Sequence, residues 1–512
     1  LAHASNLSII RDSEVENVLT NMAKHIFIAA GLNPQNAKIV LVNDDSINAF
    51  VAGGQTIFVH SGLITHAKSP DEVAFVLSHE TGHIVGGHVI RGTEQMKSAQ
   101  TTALISTVLG GLLAVAGGSP EAGLAIMMGS NSSVMNSFMA YRQSEESAAD
   151  RTAVDIMKKT GYSMQGFTDT MKELQRQERL SSAYDNAYWQ THPMTRDRMR
   201  DIERFTHNAR PISKDEQFDL MRAKLIGFLF PPEQTRHLYQ GNSLADKYAR
   251  AIALYKNNKI TDSLKAVEDL IALRPQNAYF YELKGQFLFE TGKLNESIPA
   301  YEQAVELMPN APLIRLALGQ VLTESDNEND LKKAIYHLSE VVLQDKLIPG
   351  AWRLLATAYG KMKNMPMADY AMAEFYMLVD KKDEAKAYYA KMLEVDSANI
   401  LAHEQLIDLY ANEDKFKYYL LRGNLHALQQ LMSHAKNDYK KAIEHAKDSV
   451  EALPARYLHA GICEEQGKIQ EAIDDYLRIS DDDENNPLVF IKLAELYEKS
   501  EGIIASIEIL ER

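Results

Sequence analysis

Apolar residues recur at helical spacing near the start of the chain. Over residues 12–31 the apolar positions lie three or four residues apart, and Gly31 provides a stop signal. These positions are Val15, Val18, Leu19, Met22 and Ile26. The pattern predicts an amphipathic helix that packs against a core.

A short stretch of strand-type residues follows. Lys38–Val42 is a β-branched run, and residues 47–51 and Thr56–His60 flank the pair Gly53-Gly54. Runs of this kind on either side of a glycine turn predict a small hairpin sheet. The edge of such a sheet could hold an extended peptide through main-chain pairing, or the hairpin could be purely structural.

Residues 69–88 give the strongest helix signal. Ser69 suits the N-cap, Pro70 suits the first helical position, and Glu72 stands where a capping-box acid reaches back. On this helix His79 and His83 lie four residues apart, so that their imidazoles share one face, roughly 6 Å apart. Glu80 completes the pattern H-E-x-x-H, in which two histidines hold one metal ion and the glutamate acts as a base. Histidines on the surface of an ordinary helix are the alternative.

His88 does not fit the metzincin extension of this motif. That extension places its third histidine six residues after the second, where this chain has Val89. At about 100° per residue His88 points roughly 140° away from His83. We therefore expect His88 to support a ligand or to lie at the surface, and the third ligand to come from another helix.

Residues 98–141 carry a single charged residue, Glu121, and the first half of this stretch contains paired glycines. Three interpretations are open. The stretch could be an apolar helical hairpin that dips into a membrane surface, a pair of buried core helices, or a true transmembrane hairpin.

The sequence Y-R-Q-S-E-E-S-A-A-D-R-T-A follows at residues 141–153. Glu146 and Asp150 lie four residues apart on one helical face. A carboxylate at Glu146 would complete a site of two histidines and one glutamate, and Asp150 could orient a metal-bound imidazole. Acids on a solvated helix face explain the same spacing equally well.

A period of 34 residues dominates the second half of the chain: it separates Pro275 from Pro309 and Gly285 from Gly319. It is the tetratricopeptide period, and W-x-x-L-A-x-x-Y at residues 352–359 fits the same pattern. We predict a helical connector over residues 211–243 and an all-α solenoid over residues 244–512, incomplete at its C-terminus. The concave face of such a solenoid suits protein segments. Its acidic surface could also serve only solubility.

Composition narrows the function classes. A chain of 512 residues, 45% hydrophobic, requires more than one domain. The net charge of -15 lies mostly beyond residue 210 and excludes a basic nucleic-acid footprint. The single cysteine, Cys463, excludes an intramolecular disulfide. A chain that opens on Leu1 fits a processed export precursor or a trimmed piece.

The motifs of the first 210 residues resemble those of the H-E-x-x-H peptidase family that includes HtpX and the CAAX prenyl protease. In that family the third zinc ligand lies in an E-x-x-A-D motif on a later helix, which residues 146–150 match. N-A-F before a glycine pair, at residues 48–50 and 53–54, and H-P followed by an arginine, at residues 192–193 and 198, are further family features. The resemblance implies a zincin-like α+β domain over residues 1–210. It also implies one zinc ion held by His79, His83 and Glu146, with Glu80 as the base.

The resemblance also brings His192 and Arg198 near the zinc. There His192 would donate a hydrogen bond to the oxyanion of the tetrahedral intermediate, or occupy the open metal position in the resting enzyme. Capping of a helix over residues 194–205 is the alternative role. Arg198 would stabilise the same intermediate or brace Glu146 or Asp150.

Together with the repeats, residues 12–391 resemble the BepA-like group of bacterial envelope proteases. The resemblance implies a periplasmic zinc endopeptidase that acts on unfolded or misassembled outer-membrane proteins and recruits clients or partners through its repeats. It further implies peripheral contact with a membrane, for which residues 98–141 are the candidate segment. The alternative is a repeat chaperone or scaffold whose peptidase site is latent.

Overall fold

The computed structural model describes residues 8–52, 54–88, 132–180, 192, 198, 210–483 and 486–511. The chain divides into two compact units, residues 1–314 and residues 315–512. In the described part of the chain, a small sheet lies among helices near the start and every later element is helical. The prediction of a mainly α fold, with a small β-sheet followed by helical repeats, is confirmed.

The sheet has four strands in the order β1-β2-β4-β3. They are β1 (Ile9–Ile10), β2 (Lys38–Val42), β3 (Ala49–Ala52) and β4 (Thr56–His60). β3 and β4 form the predicted antiparallel hairpin, and β2 pairs in parallel with β4. β1 pairs with the outer side of β2 and was not predicted, because two residues carry no periodic signal.

Five described helices surround this sheet, and a 3-10 turn at Pro34–Asn36 precedes β2. The helices are α1 (Ser13–Ala29), α2 (Ser61–His66), α3 (Pro70–Val85), α4 (Ser132–Thr160) and α5 (Gln165–Leu180). The predicted N-terminal helix is α1, whose cap residue Asp12 accepts a hydrogen bond from the Val15 N–H at 2.9 Å. The apolar face of α1 packs into one core with β2, β4, α3 and α4.

Helix α3 begins where the sequence predicts. Ser69 is its N-cap and Pro70 its first residue, but the Ser69 side chain makes no capping bond to the helix backbone. The Glu72 carboxylate instead accepts a hydrogen bond from the Lys68 N–H at 2.8 Å, one residue before the cap. The predicted capping box is therefore not formed, because Glu72 binds the N–H of Lys68 and not that of Ser69.

The predicted connector contains helix α6 (Glu216–Leu229), followed by α7 (Pro232–Leu238). One face of α6 places Phe218, Met221 and Leu225 in the core beneath the sheet. Its opposite face packs against the first repeat helices through Leu220, Ala223 and Ile226. A single helix thus joins two hydrophobic cores within residues 1–314.

The repeats consist of paired helices. In the first unit these are α8 (Leu244–Lys256), α9 (Ile260–Leu273), α10 (Ala278–Glu290) and α11 (Leu294–Leu307). Small residues let each pair close: a Cβ at Gly285 would lie 2.7 Å from the Tyr301 ring, and one at Gly423 would lie 2.5 Å from the Tyr439 ring. The close contact of glycine with an aromatic ring explains why small and aromatic residues recur in each 34-residue repeat. The predicted repeats are confirmed.

Twelve further helices follow in the described residues from 312 onward. They are α12 (Pro312–Glu324), α13 (Glu328–Gln344), α14 (Pro349–Lys361), α15 (Met365–Leu378), α16 (Lys382–Val395), α17 (Ile400–Tyr410), α18 (Lys415–Leu428), α19 (Met432–His445), α20 (Ser449–Glu465), α21 (Ile469–Asp482), α22 (Pro487–Glu501) and α23 (Ile503–Leu510). The domain limits expected from the sequence stay predictions.

Much of the predicted apolar hairpin, residues 98–131, lies outside the described residues, and so does most of the helix expected over residues 194–205. Residues 132–141 belong to the start of α4. Among the described residues, no helix combines the length and the low polarity that crossing a bilayer requires. The three interpretations of residues 98–141 therefore stay predictions.

A buried ionic cluster lies beside α6. The Lys224 ammonium is 2.8 Å from Asp12, 3.3 Å from Glu282 and 3.7 Å from Glu14. The Tyr248 hydroxyl also donates to Glu14, at 2.8 Å. Burial raises the pKa of Glu14 to about 7, although Lys224 opposes the shift. Three carboxyl groups thus surround one buried ammonium.

We expect Glu14→Gln to remove a pH dependence of stability. The pKa of Glu14 is 4.5 in its ordinary state and about 7 in the folded protein. Between these two pH values the folded state therefore keeps a proton on Glu14, whereas the unfolded state has released it. The free energy of unfolding of the wild type should therefore fall as pH rises through this window, by up to about 3 kcal/mol relative to the variant. Urea unfolding at a series of pH values measures the difference. Glu16→Gln is the control, because Glu16 lies on the same helix but is only half-buried and pairs with Arg11 outside this cluster. Parallel curves for wild type and Glu14→Gln would contradict the prediction.

Candidate metal centre

Helix α3 carries both histidines of the H-E-x-x-H motif into the interior. The spacing of four residues places them on one face, where their Nε2 atoms lie 3.2 Å apart. His79 has no exposed surface and His83 is half-buried. The interpretation of these residues as surface histidines is therefore wrong.

Helix α4 brings the predicted carboxylate to the same point. Glu146 Oε2 lies 3.3 Å from His79 Nε2, and Glu146 Oε1 lies 3.4 Å from His83 Nε2. Glu146 is 3% exposed, so it does not lie on a solvated helix face. Two segments more than sixty residues apart in sequence thus converge on one point.

His192 adds a fourth donor atom. Its Nδ1 lies 3.2 Å from His79 Nε2 and 3.2 Å from each carboxylate oxygen of Glu146. His192 is buried, and the four side chains form a group whose ligand atoms all lie within 4.8 Å of one another.

The four donor atoms fit a tetrahedral metal ion. Bonds of 2.0–2.1 Å from zinc to nitrogen or oxygen require about 3.3 to 3.4 Å between neighbouring donors in a regular tetrahedron. The distances given above run from 3.2 to 3.4 Å. They join the Nε2 atoms of His79 and His83, the Nδ1 atom of His192 and the oxygens of Glu146. The spacing and the mixture of imidazole and carboxylate therefore suit a single divalent cation.

Asp150 and Arg198 support this group from behind. Asp150 Oδ1 lies 2.9 Å from His79 Nδ1, so a proton on Nδ1 would leave Nε2 free to bind a cation. The Arg198 Nε donates to Asp150 Oδ2 at 2.6 Å, and its Nη1 lies 3.0 Å from Glu146 Oε2. Arg198 thus contacts both of the acids, Glu146 and Asp150, that the sequence analysis offered as its partners.

The charges of the site favour a cation at its centre. Burial alone would lower the pKa of His79, but Asp150 and Glu146 outweigh it and raise that pKa to about 10. Burial would raise the pKa of Glu146, but hydrogen bonds from His192, His79 and His83 hold it well below its ordinary value. Positive charge at this point is therefore stabilised, whether a proton or a metal carries it.

Glu80 lies beside the four donors but is not one of them. Its Oε1 is 3.4 Å from His192 Nε2, and its carboxylate accepts a hydrogen bond from the Val51 N–H. Burial raises the pKa of Glu80 to about 7. A carboxylate held at this distance can exchange a proton with a molecule that sits at the centre.

His88 takes the supporting role that its spacing allows. Its Nδ1 lies 2.8 Å from His83 Nδ1, on the side of the His83 ring away from the group of donors. His83 therefore has an orienting partner, as His79 has in Asp150. The expectation that His88 is not itself a member of the donor group agrees with this position.

Gly82 is a site residue that the sequence analysis missed. A Cβ at this position would lie 2.8 Å from the Ala149 Cα and from the Ala149 carbonyl oxygen. Only glycine lets α3 approach α4 this closely, and the approach brings Glu146 to the histidines. The signal available was a small residue inside each motif, glycine in H-E-T-G-H and alanine in E-S-A-A-D.

Comparisons with known proteins agree with this arrangement. Residues 10–206 match the model of peptidase family M48, and residues 248–312 match a tetratricopeptide repeat model. The chain is 27% identical over 254 residues to the beta-barrel assembly-enhancing protease of Escherichia coli K12, covering 48% of this chain and 52% of that protein. It is 28% identical over 193 residues to metalloprotease LoiP of the same organism, covering 37% of this chain and 70% of LoiP.

The chain thus spans about half the length of the assembly-enhancing protease that it matches. Among solved structures, a tetratricopeptide repeat protein from Parabacteroides merdae aligns with 50% of this chain and 99% of its own, at 15% identity and a TM-score of 0.27. At that score the alignment adds nothing to the fold described above.

We expect Gly82→Ala to damage the metal centre. The added methyl group must push α4 away from α3, which should lower the free energy of unfolding by about 1–3 kcal/mol and move Glu146 from the histidines. Thermal unfolding and metal content by elemental analysis measure the two effects. Gly360→Ala makes the same change in a repeat helix where a Cβ meets nothing within 4 Å, and it should retain wild-type metal content. Wild-type stability and metal content in Gly82→Ala would refute the role of the close approach.

Proposed function

Because the chain joins a domain of peptidase family M48 to tetratricopeptide repeats, we propose that it is a zinc-dependent endopeptidase. The observation that carries this proposal is the tetrahedral spacing of four donors, three of them buried and His83 half-buried, with a separate buried carboxylate, Glu80, beside them. A purely structural cluster would not need an acid at this place.

We assign His79, His83 and Glu146 as the ligands of one zinc ion. Two imidazoles and one carboxylate are a common donor set of catalytic zinc sites. When bound, zinc would polarise the scissile carbonyl and lower the pKa of a water molecule. Asp150 orients His79 through Nδ1, and Arg198 holds Asp150 and Glu146 in place.

Glu80 is the general base in this proposal. Its carboxylate is held by the Val51 N–H and faces the site, within reach of a water molecule at the centre. It would accept the proton of the attacking water and then donate it to the amine of the departing peptide.

Strand β3 is the proposed binding edge for the substrate main chain. The Asn48 carbonyl accepts a hydrogen bond from the His60 N–H at 3.0 Å, so the main-chain groups of Asn48 face β4. Along a strand, the main-chain groups of successive residues face opposite sides, so those of Ala49 and Val51 face the open edge of the sheet. The Val51 N–H on that side reaches Glu80. An extended peptide paired with this edge would therefore pass next to the base. A structural hairpin without substrate is the alternative.

The substrates and the location rest on the relatives. One relative is named for enhancing β-barrel assembly, which supports unfolded or misassembled outer-membrane proteins as substrates in the bacterial periplasm. Tetratricopeptide repeats support recruitment of clients or assembly partners through their concave face. Peripheral membrane contact through residues 98–141 belongs to the same proposal.

One observation favours a second function, a repeat chaperone with a latent site. His192 Nδ1 stands where the fourth donor of a tetrahedron belongs, which is the position that a reactive water needs. A resting site closed by His192 would bind clients through the repeats without cleaving them. The role of His192 therefore distinguishes the two functions.

We expect Glu80→Gln to keep zinc and lose cleavage. The amide preserves the size of the side chain but cannot accept the proton, and loss of such a group lowers turnover by about 10²–10⁴-fold. Chelator-sensitive cleavage of casein and elemental analysis provide the two measurements. Glu146→Ala should instead lose zinc, and Glu16→Gln should change neither. Retained turnover in Glu80→Gln would exclude the assigned base.

We expect His192→Ala to increase casein cleavage if His192 closes the resting site. Removal of the imidazole opens the fourth position without touching the three assigned ligands, so zinc content should be kept. A loss of turnover at unchanged zinc content would instead support a role in stabilising the oxyanion. No cleavage by wild type, Glu80→Gln or His192→Ala, all loaded with zinc, would favour the chaperone.

A further inference from the structure

A second group of metal-binding side chains lies in the C-terminal unit. Helix α20 carries His459 and Cys463, and the neighbouring helix α21 carries Glu471 and Asp475. Each pair is spaced by four residues, so each shares one face of its helix. The group lies outside the residues matched by the peptidase and repeat models.

The distances within this group suit a tetrahedral metal ion. Cys463 Sγ lies 3.8 Å from His459 Nδ1 and 3.7 Å from Glu471 Oε2. With a zinc–sulfur bond near 2.3 Å and bonds of 2.0–2.2 Å to the lighter atoms, a tetrahedron places sulfur about 3.6 Å from its neighbours. His459 Nδ1 and Asp475 Oδ2 lie 2.5 Å apart, so a metal shared by both would require them to separate by roughly 0.8 Å.

The surroundings resemble a site that is closed on one side and open on the other. Cys463, His459 and Asp475 are buried, whereas Glu471 is exposed and lies at the solvent entrance. The exposed carboxylate of Glu471 lies next to the buried thiol, with Oε2 3.7 Å from Sγ. The ligand atoms offered by His459, Cys463 and Glu471 lie within 4.8 Å of one another.

We propose that His459, Cys463 and Glu471 form a second metal site, for a divalent transition metal of the zinc class, with Asp475 as the adjoining carboxylate. Thiolate and imidazole together favour zinc-like ions over magnesium or calcium, which prefer oxygen ligands. The site would cross-link α20 to α21 and stiffen this part of the repeats.

Lys436 provides a specific test of this site. Its ammonium lies 2.5 Å from Glu471 Oε2 and therefore holds the carboxylate that a metal would bind. Metal and ammonium compete for Glu471, so loss of the lysine charge should tighten metal binding. A cluster that merely stabilises the helix pair gives no such expectation, because removal of Lys436 would only take from Glu471 one of its two lysine partners, the other being Lys468.

Cobalt(II) added to the 512-residue chain is the probe. The chain contains one cysteine, so a thiolate-to-cobalt charge-transfer band in the near ultraviolet reports Cys463 alone, whatever the state of the peptidase site. We expect the band in wild type and in Glu146→Ala, and its absence in Cys463→Ser. Glu471→Gln should weaken binding at least about tenfold, and Lys436→Met should strengthen it about tenfold.

Asp474→Asn is the matched control, since Asp474 precedes Asp475 on the same helix but is exposed. It should leave the cobalt affinity at the wild-type value, and circular dichroism should verify that each variant keeps its helix content. The proposal fails if neither wild type nor Lys436→Met gives the band. It also fails if Glu471→Gln and Lys436→Met bind cobalt with the wild-type affinity.

Discussion

The metal centre depends on the close approach of helix α3 to helix α4. Gly82 faces Ala149 at a distance that admits no side chain, and the contact carries Glu146 to the two histidines of α3. The start of α3 is fixed separately by Asp71, whose carboxylate accepts from the N–H groups of Ser163 and Ser213 at 2.8 and 2.7 Å. Helix α3 is thus held at its start by an acid and near its end by a contact between backbones.

The electrostatics of the centre follow from this geometry. Glu146 and Asp150 share one face of α4, so a single arginine, Arg198, can contact both acids. The acids in turn favour positive charge at the Nε2 side of His79. Because the group is buried, water screens these interactions little, and a missing member would leave unpaired charge behind. The four donors and the residues that support them therefore form one interdependent network.

Helix α6 connects this domain to the first repeats through two apolar faces and an ionic cluster. Lys224 lies between acids of α1 and of α10, so its charge joins the N-terminal domain to the repeats within residues 1–314. The first repeats are consequently part of the same compact unit as the metal centre.

The sequence alone determined the elements whose signal is local. These elements are α1, α3 with its start at Ser69-Pro70, the hairpin of β3 and β4, and the repeat helices. Their signals lie within one or two turns or in a fixed period. The spacing of His79 and His83 on one helix predicted that they could share a metal. A strand of two residues, and the exact bonds of the Ser69 cap, carry too little local signal to be predicted.

The tertiary structure alone decided which distant residues meet. Spacing left Glu146 and Asp150 equally consistent with a solvated helix face, and only the packing of α4 on α3 distinguishes a donor from an exposed acid. Segments far apart in sequence also meet where His192 lies beside Glu146 and where Arg198 contacts Asp150. The pairing of His88 with His83 is closer in sequence but depends on how the chain turns at the end of α3. Periodicity indicates which face of a helix is buried, but not which other helix covers that face. The metal centre depends on which helix covers which face, so the sequence pattern could not predict it.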